Sequence, residues 1–432
     1  MSAKVRIGLA GFGIVGQGLT SILTGSAQWI ERRLGRPVAV HAVALRDPHK
    51  QRAVPIPEGA RIVANPLELA QDPDIDIVVE LMGGLGMAYD LIRLALASGK
   101  HVVTANKHLL AERGEELFAL AAQKGVGLYY EASVCGGIPI VQTLKESLAG
   151  NRILAVTGIL NGTSNFILSR MSSKGLTYEA ALKKAQKKGY AEADPTLDVE
   201  GFDAAHKLVL LIRLAYGHDY PLHKLPVTGI TGVTPLDIAY AKEFGCQVKL
   251  IGQAKMVDGR IMAGVHPMML SHSYLLAQVH GAFNAVRVVG DAVGAVMLYG
   301  QGAGGLPTGS AVLADIMDLA RDGAAPNNTG FPEKMLPPAD ILPPEEECSR
   351  RYFRFNVEDK PGVLAALAQA LGDVGISIYQ VVQKVDPSAP DSSIVPIVFM
   401  THQAKQRDVE KALENIRAMP FVKAEPVHLR VL

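Results

Sequence analysis

The chain is 432 residues long, which at about 150 residues per domain favours about three domains. Its 43 lysines and arginines nearly balance 42 aspartates and glutamates, giving a formal net charge of +1, so no broad charged field would attract nucleic acid or a membrane surface. Hydrophobic residues make up 48% and charged residues 20% of the chain, which excludes a disordered polymer.

The first third of the chain alternates Val- and Ile-rich apolar runs with helical patterns. The apolar runs occupy residues 5–10, 38–45, 75–81, 101–105 and 127–134. Helical patterns follow the first run, from residue 19, and occupy residues 88–98 and 114–124. Strands that alternate with helices predict a doubly wound α/β domain with a parallel sheet, and we assign it residues 1–135.

The rest of the chain divides into three further stretches. Residues 136–300 combine helical patterns with alternating β patterns and predict an α+β domain. Residues 321–350 are rich in proline, end in a run of glutamates, and predict a solvated linker. Residues 351–432 follow a strand-helix-strand-strand-helix-strand order, which predicts a small βαββαβ ferredoxin-like domain.

The cysteines and the N-terminus indicate the cellular compartment in which the protein resides. Cys135, Cys246 and Cys348 are widely spaced and form no CxxC pair, so they predict neither a disulfide framework nor a zinc ribbon. The N-terminal residues lack the apolar stretch of a signal peptide, and the most apolar internal run, 208–215, contains an arginine. We therefore expect a reduced, cytoplasmic protein. Three histidines, His206, His266 and His272, lack a spacing that would predict zinc.

A GxGxxG motif lies between the first predicted strand and the first helix. In this context Gly11 allows the tight turn, Gly13 lets the backbone approach a pyrophosphate, and Gly16 allows close packing of helix on strand. The second strand ends in Arg46 and Asp47. An acid there holds the ribose of NAD and an arginine holds the 2′-phosphate of NADP, so both cofactors stay open, with a slight preference for NADP.

Three polar motifs are candidates for chemistry. Thr104 and Lys107 follow a strand at the edge where parallel sheets bind ligands, although Lys107 can equally be a solvated lysine. Glu131 and the glycine-rich turn after it can gather oxygens around a hard cation, or simply form a crossover between domains. Asp203 and Lys207 share one face of a helix that continues as a buried apolar segment, which is unusual for an ordinary surface pair.

A second glycine-rich stretch, residues 300–308, precedes a helical pattern at 310–320. It either returns to the first domain and completes the nucleotide site or forms a plain hinge.

Taken together, these motifs resemble homoserine dehydrogenase with a C-terminal ACT domain, over essentially the whole chain. The matching blocks are GFGIVG, VVTANK, EASVCGGIPI, ILNGTSNFIL, GYAEADPTLDVEGFDAAHK and YGQGAGGLPT. The resemblance implies a Rossmann-type domain, an α+β catalytic and dimerisation domain, and a regulatory ACT domain. It further implies reversible, NAD- or NADP-dependent oxidation of L-homoserine to L-aspartate 4-semialdehyde, on the route to threonine, methionine and isoleucine.

The resemblance also implies roles for individual residues. Lys207 is similar to the family's proton-transferring lysine and Lys107 to its second lysine, while Glu192, Asp203 and Lys107 match substrate-holding positions. A sodium or potassium site falls on Glu131, Val134, Gly136 and Ile138. The glycine motif and the resemblance together place the nucleotide at Gly11, Phe12, Gly13, Ile14, Val15, Gly16, Arg46, Thr104, Lys107, Gly189 and Gly304.

The same resemblance implies binding partners, and it reveals two positions at which this chain differs from the family. It implies threonine as an effector at the turn 359–364, and a homodimer or homotetramer. We expect removal of residues beyond about 345 to leave activity but to abolish the response to threonine. His206 stands where the family commonly has arginine, and Cys135 where it has a small residue.

Lys207 can act as a base near neutral pH only if its pKa is lowered, because an ordinary lysine pKa is about 10.4. We expect Lys107 and burial to lower the pKa of Lys207, with Asp203 opposing. Two alternatives compete with this hypothesis: a semialdehyde dehydrogenase with Cys135 as its nucleophile, and a non-catalytic amino-acid sensor.

Overall fold

The computed structural model describes residues 4–321, 325–384 and 393–432. The first residues of the N-terminus, part of the predicted linker (322–324) and part of the predicted C-terminal domain (385–392) lie outside this description. Within it, no helix is both long and apolar enough to cross a bilayer.

The elements follow the predicted order along the chain. The strands are β1 (Val5–Ala10), β2 (Val38–Ala44), β3 (Arg61–Val63), β4 (Ile77–Glu80), β5 (His101–Thr104), β6 (Leu128–Tyr129), β7 (Ile153–Ile159), β8 (Cys246–Val257), β9 (Arg260–Ser271), β10 (Phe283–Gly290), β11 (Gly294–Gln301), β12 (Cys348–Glu358), β13 (Ile378–Gln383), β14 (Ile394–Lys405) and β15 (Val427–Val431). The helices are α1 (Ile14–Gly25), α2 (Ala27–Leu34), α3 (Leu67–Gln71), α4 (Met87–Ala97), α5 (Lys107–Lys124), α6 (Ile140–Gln142), α7 (Gly162–Lys174), α8 (Tyr178–Lys187), α9 (Thr196–Val199), α10 (Phe202–Tyr216), α11 (Pro235–Glu243), α12 (Gly305–Leu319), α13 (Val363–Gly372) and α14 (Gln406–Arg417).

The first sheet is parallel and has the strand order β3-β2-β1-β4-β5-β6. Its apolar strands are covered on both faces, which confirms the doubly wound α/β prediction. The strand expected at 127–134 is shorter, because the chain turns into a 3₁₀ helix at Glu131–Ser133 after β6.

Helix α12 packs back onto the first domain along α1. Gly18 and Gly309 allow this approach, since a Cβ at Gly18 would lie 2.0 Å from the Gly305 carbonyl oxygen. Val312 and Ile316 of α12 are buried in one cluster with Leu19 of α1. The stretch before α12 is therefore a return to the nucleotide fold rather than a plain hinge.

The second sheet joins the middle and C-terminal parts of the chain. Its order is β11-β10-β7-β8-β9-β15-β12-β14-β13, in which the last four strands have the ferredoxin-like arrangement predicted for the C-terminal residues. The two halves meet where β15 pairs in parallel with β9, at Arg430 opposite Met268 and Val431 opposite Met269. Tyr352 and Leu429 are buried in the same cluster as Leu208 of α10.

The proline-rich stretch is packed rather than solvated, contrary to expectation. Pro338 forms a β-bridge with Asp219 and Ile341 forms one with Ile261. Leu336 and Leu342 are buried, so this segment lies along the α+β domain. The sequence did not indicate this because the bridging partners lie far away in the chain.

A buried ion pair fixes the C-terminal domain to α11. The Arg354 guanidinium donates to Asp237 through Nε to Oδ1 at 2.7 Å and through Nη2 to Oδ2 at 3.1 Å. The Tyr352 hydroxyl donates to the same carboxylate at 2.9 Å. Asp237 is also the third residue of α11, where it completes a capping box with Thr234. The C-terminal domain is thus an integral part of the core, and removing residues beyond 345 would expose this carboxylate and the edge of β9.

Replacing Arg354 by methionine tests this connection. The variant leaves the fully buried Asp237 without its cation, so we expect the free energy of unfolding to fall by about 3 kcal/mol in chemical denaturation. The control is Arg407→Met, which removes an exposed pair with Asp408 and should change the free energy by less than about 0.5 kcal/mol. Equal stability of the two variants would contradict a role for the buried pair.

Candidate active site

The glycine motif leaves open space at the start of α1. Gly11 has a φ of 98°, and a Cβ there would lie 2.7 Å from the Leu81 carbonyl oxygen, so only glycine fits. A Cβ at Gly13 would meet no atom within 4 Å, which leaves space in front of the helix. Helix α1 begins at Ile14 without a side-chain cap, so its first amides are available to an anion. These features fit a dinucleotide pyrophosphate.

The other predicted nucleotide positions surround this opening to different extents. A Cβ at Gly305 would lie 3.0 Å from the Ile14 carbonyl oxygen, which places neighbouring Gly304 beside the start of α1. The Ile14 side chain is 76% exposed although it is apolar. Phe12 and Gly16 are buried, Val15 is half-buried, Arg46 is exposed after β2, and Gly189 is exposed at the end of α8.

Glu80, which the sequence analysis missed, organises the loops at the ends of β4 and β5. Its fully buried carboxylate accepts hydrogen bonds from the amides of Met82 and Gly83, at 2.7 and 2.9 Å, and from the Thr104 hydroxyl, at 2.6 Å. Thr104 in turn accepts from the Asn106 amide at 3.0 Å, just before α5. An acid at the end of an otherwise apolar strand was the indication available in the sequence.

Two lysines from different domains meet on one carboxylate. Lys107, the first residue of α5, places its Nζ 3.2 Å from Asp203 Oδ1, and Lys207 of α10 places its Nζ 2.7 Å from Asp203 Oδ2. Lys207 is buried, whereas the Lys107 side chain is 33% exposed. The structure therefore brings the predicted lysines and Asp203 together at the junction of the two domains.

Two asparagines that the sequence analysis did not single out hold this cluster. The Leu160 carbonyl oxygen accepts from Lys207 Nζ at 2.6 Å and from Asn284 Nδ2 at 3.0 Å. Asn161 donates from Nδ2 to Asp203 and to Asp198, both at 2.7 Å, while its Oδ1 accepts from the Ser164 amide and caps α7. An asparagine before a helical pattern could have indicated the cap; nothing in the sequence indicated Asn284.

Charge pairing dominates the electrostatics of this cluster. Burial by itself lowers the pKa of Lys207, but the charge and hydrogen bond of Asp203 outweigh it and raise that pKa. Burial likewise raises the pKa of Asp203, and the two lysines reverse the effect and lower it. Our expectation of a lowered Lys207 pKa is therefore wrong for this state, because Asp203 lies between the two ammonium groups.

Glu192 and His206, which the sequence places near the lysine pair, lie in different environments. Glu192 lies in the exposed loop between α8 and α9, and within the described ranges its carboxylate makes no hydrogen bond or ion pair. His206 is buried beside the lysine pair and stacks on His108, with 4.5 Å between ring centroids. Burial, and then the charge of His108, lowers the pKa of His206 to about 4, so it is neutral near pH 7.

The proposed cation residues form a buried oxygen-rich turn. Glu131 is 3% exposed, and its carboxylate accepts from the amides of Val141 and Gln142, at 2.9 and 2.7 Å. Burial raises the pKa of Glu131 to about 7. In the part of the chain that the structure describes, the carbonyl oxygens of Val134 and Gly136 accept no hydrogen bond. A carboxylate and carbonyls are hard donors, so this set fits an alkali cation.

Cys135 is poorly suited to be a nucleophile. It is fully buried with a positive φ of 58°, and burial raises the pKa of its thiol. The three cysteines are free, as expected; Cys246 is also buried and Cys348 is exposed.

The fold and the site define a class: an oxidoreductase with a nicotinamide-nucleotide domain, a lysine-bearing catalytic domain and an appended ferredoxin-like domain. Family models agree in detail. The model "Homoserine dehydrogenase, NAD binding domain" matches residues 11–131, the model "Homoserine dehydrogenase" matches 139–317, and the model "ACT domain" matches 351–421.

Relatives match over almost the full length. The chain is 42% identical to a homoserine dehydrogenase of Neisseria gonorrhoeae, covering 99% of this chain and 98% of that protein. It is 41% identical to one of Pseudomonas aeruginosa, with the same coverages. A crystal structure of a homoserine dehydrogenase from Thiobacillus denitrificans has a TM-score of 0.94 at 43% identity, covering 100% of this chain and 98% of that one. The chain belongs to the homoserine dehydrogenase family, and neither alternative function is favoured.

Proposed function

We propose that this site interconverts L-homoserine and L-aspartate 4-semialdehyde and that Lys207 exchanges the proton of the reacting oxygen. The observation that carries the assignment of Lys207 is its position: a buried ammonium, hydrogen-bonded to Asp203 and to the Leu160 carbonyl, at the junction of the nucleotide and catalytic domains. Family membership supports the reaction, and this geometry supports the residue.

The chain's own residues divide the remaining tasks. A bound nicotinamide supplies the hydride acceptor for oxidation and the donor for reduction. During reduction, Lys207 donates its proton to the oxygen of the semialdehyde; during homoserine oxidation, neutral Lys207 accepts the hydroxyl proton. Lys107 is partly exposed on the nucleotide side, so its ammonium can polarise the same oxygen.

Acids bind the ammonium group that the substrate carries. Asp203 lies between the two lysines at the domain junction, and we assign it to the substrate ammonium. Glu192 has no protein partner among the described residues, and we assign it the same task from the exposed loop before α9. The preference for NADP rests on exposed Arg46 and Lys50, which follow β2 where a 2′-phosphate would lie.

We assign a sodium or potassium ion to Glu131 and to the carbonyl oxygens of Val134, Gly136 and Ile138. The ion would supply positive charge to a buried carboxylate and would order the turn that carries Cys135. Support comes from the oxygen-only donor set and from the absence of a salt-bridge partner for Glu131 among the described residues.

Threonine is the proposed effector of the C-terminal domain. The turn 359–364 supports it: Gly362, with a φ of 89°, precedes α13, and a cavity of about 360 Å³ is lined by Asp359 and Leu364. A homodimer or homotetramer is supported by the exposed edge strand β11, whose Tyr299 is 54% exposed. Three free cysteines support a reducing, cytoplasmic setting.

One assay tests the proposed reaction and its finer parts. Purified full-length protein with homoserine is expected to reduce NADP, and NAD less efficiently, as followed by nicotinamide absorbance. Sodium or potassium should raise the rate above that in a bulky organic cation, and threonine should lower it. An absence of homoserine-dependent reduction with both cofactors in all these media would refute the reaction.

A further inference from the structure

A second cluster of ligand-type side chains lies between α5 and α10. His108 and Glu112 are four residues apart on α5 and therefore share a face, and His206 of α10 lies opposite them. One ligand atom from each of the three lies within 4.8 Å of the other two. Such convergence of two imidazoles and a carboxylate from different domains is not required by the dehydrogenase reaction.

The three side chains have no other polar task in the described part of the protein. None of them makes a hydrogen bond or an ion pair there. His206 is only 7% exposed. The three residues line a cavity of about 660 Å³, a space that admits an ion and its waters. The cluster thus has donors, access and no competing protein partner.

We propose that His108, Glu112 and His206 bind one divalent transition-metal ion of the Zn²⁺ type. Two imidazole nitrogens and one carboxylate oxygen are the donors that such ions prefer, whereas the oxygen-only set around Glu131 suits an alkali cation. Metal–ligand bonds of about 2.0–2.2 Å require the stacked imidazoles to rotate apart and the donor atoms to approach one another. Water from the cavity completes the coordination.

The ion would connect the two halves of the active site. His108 follows Lys107 on α5, and His206 precedes Lys207 on α10. A shared ion would therefore link the helix that carries the nucleotide-side lysine to the helix that carries the proton-transferring lysine. Neutral imidazoles are the ligand form.

The test is direct binding to the untagged full-length protein after treatment with a chelator, in a potassium-rich buffer that saturates any alkali site. Titration with ZnCl₂ by calorimetry is expected to give one ion per chain, and CoCl₂ should give visible d–d absorption that Zn²⁺ abolishes. His108→Asn and Glu112→Gln should each weaken the affinity at least about tenfold. Glu115→Gln, on the same helix and lining the same cavity, is the matched control and should bind normally.

The result that overturns the proposal is equally definite. Either no stoichiometric binding of Zn²⁺ or Co²⁺, or binding that His108→Asn and Glu112→Gln leave unchanged, excludes this site. Glu112 is exposed, so its variant should fold even if the His108 variant does not. Because no substrate or nucleotide is present, the outcome is independent of whether homoserine is oxidised.

Discussion

Replacement of Lys207 by methionine is expected to lower kcat for homoserine oxidation about 1000-fold, the middle of the range for loss of a positioned proton-transfer group. The side chain is nearly isosteric but cannot exchange a proton. Nucleotide affinity, measured by fluorescence titration, should change less than about threefold, because Lys207 contacts Asp203 and Leu160 rather than the glycine motif.

Lys207→Arg separates charge from proton transfer. The guanidinium preserves an ion pair with Asp203 but does not deprotonate in the working pH range, so the variant should fold and bind nucleotide yet remain inactive in oxidation. If either variant retained more than about a tenth of the normal kcat, Lys207 would not be the proton-transferring residue.

Asp203→Asn is expected to change the pH profile as well as the rate. With Asp203 present the pKa of Lys207 is raised, so neutral Lys207 is scarce near pH 7 and kcat/KM for oxidation should rise about tenfold per pH unit through the neutral and mildly alkaline range. Without the carboxylate, burial and the Lys107 charge lower that pKa, and the rise should level off at least about one pH unit earlier. The maximal rate should still fall at least about 100-fold, because both lysines lose their shared partner.

The reverse reaction provides an internal check. Reduction of the semialdehyde uses protonated Lys207, so its alkaline decline should move to lower pH in the same variant. Asp194→Asn is the control, since Asp194 is exposed and its carboxylate bonds only to Thr196 within the described residues. An Asp203→Asn profile that coincides with that of the control would show that Asp203 does not tune Lys207.

Local patterns predicted most of the elements but few of the contacts between them. The strand-glycine-helix start and the βαββαβ order depend on residues close in sequence, and both predictions are confirmed. The path of residues 325–350 was mispredicted because its partners, Asp219 and Ile261, come from elsewhere in the fold. The seam between β9 and β15 is likewise a long-range pairing that periodicity does not encode.

In the candidate site, too, local patterns predicted some features and missed those that depend on contacts between distant residues. Asp203 and Lys207 were recognisable because four residues on a helix fix their relative position. The direction in which the Lys207 pKa shifts could not be predicted, since it depends on whether Asp203 or Lys107 lies closer to the ammonium. The Asn284 contact depends on the long-range packing of the α+β domain, and the convergence of His108 with His206 depends on how two domains pack; no local pattern specifies either.

The way in which distant segments complete both sheets constrains the order of folding during synthesis. Helix α1 is made early, but its packing partner α12 follows only after the α+β domain has been translated. Strand β9 likewise lacks its partner β15 while the intervening residues are synthesised, so the edge of β9 that pairs with β15 is unpaired during that time. Both surfaces therefore stay open during synthesis until the later segments, α12 and β15, have been made.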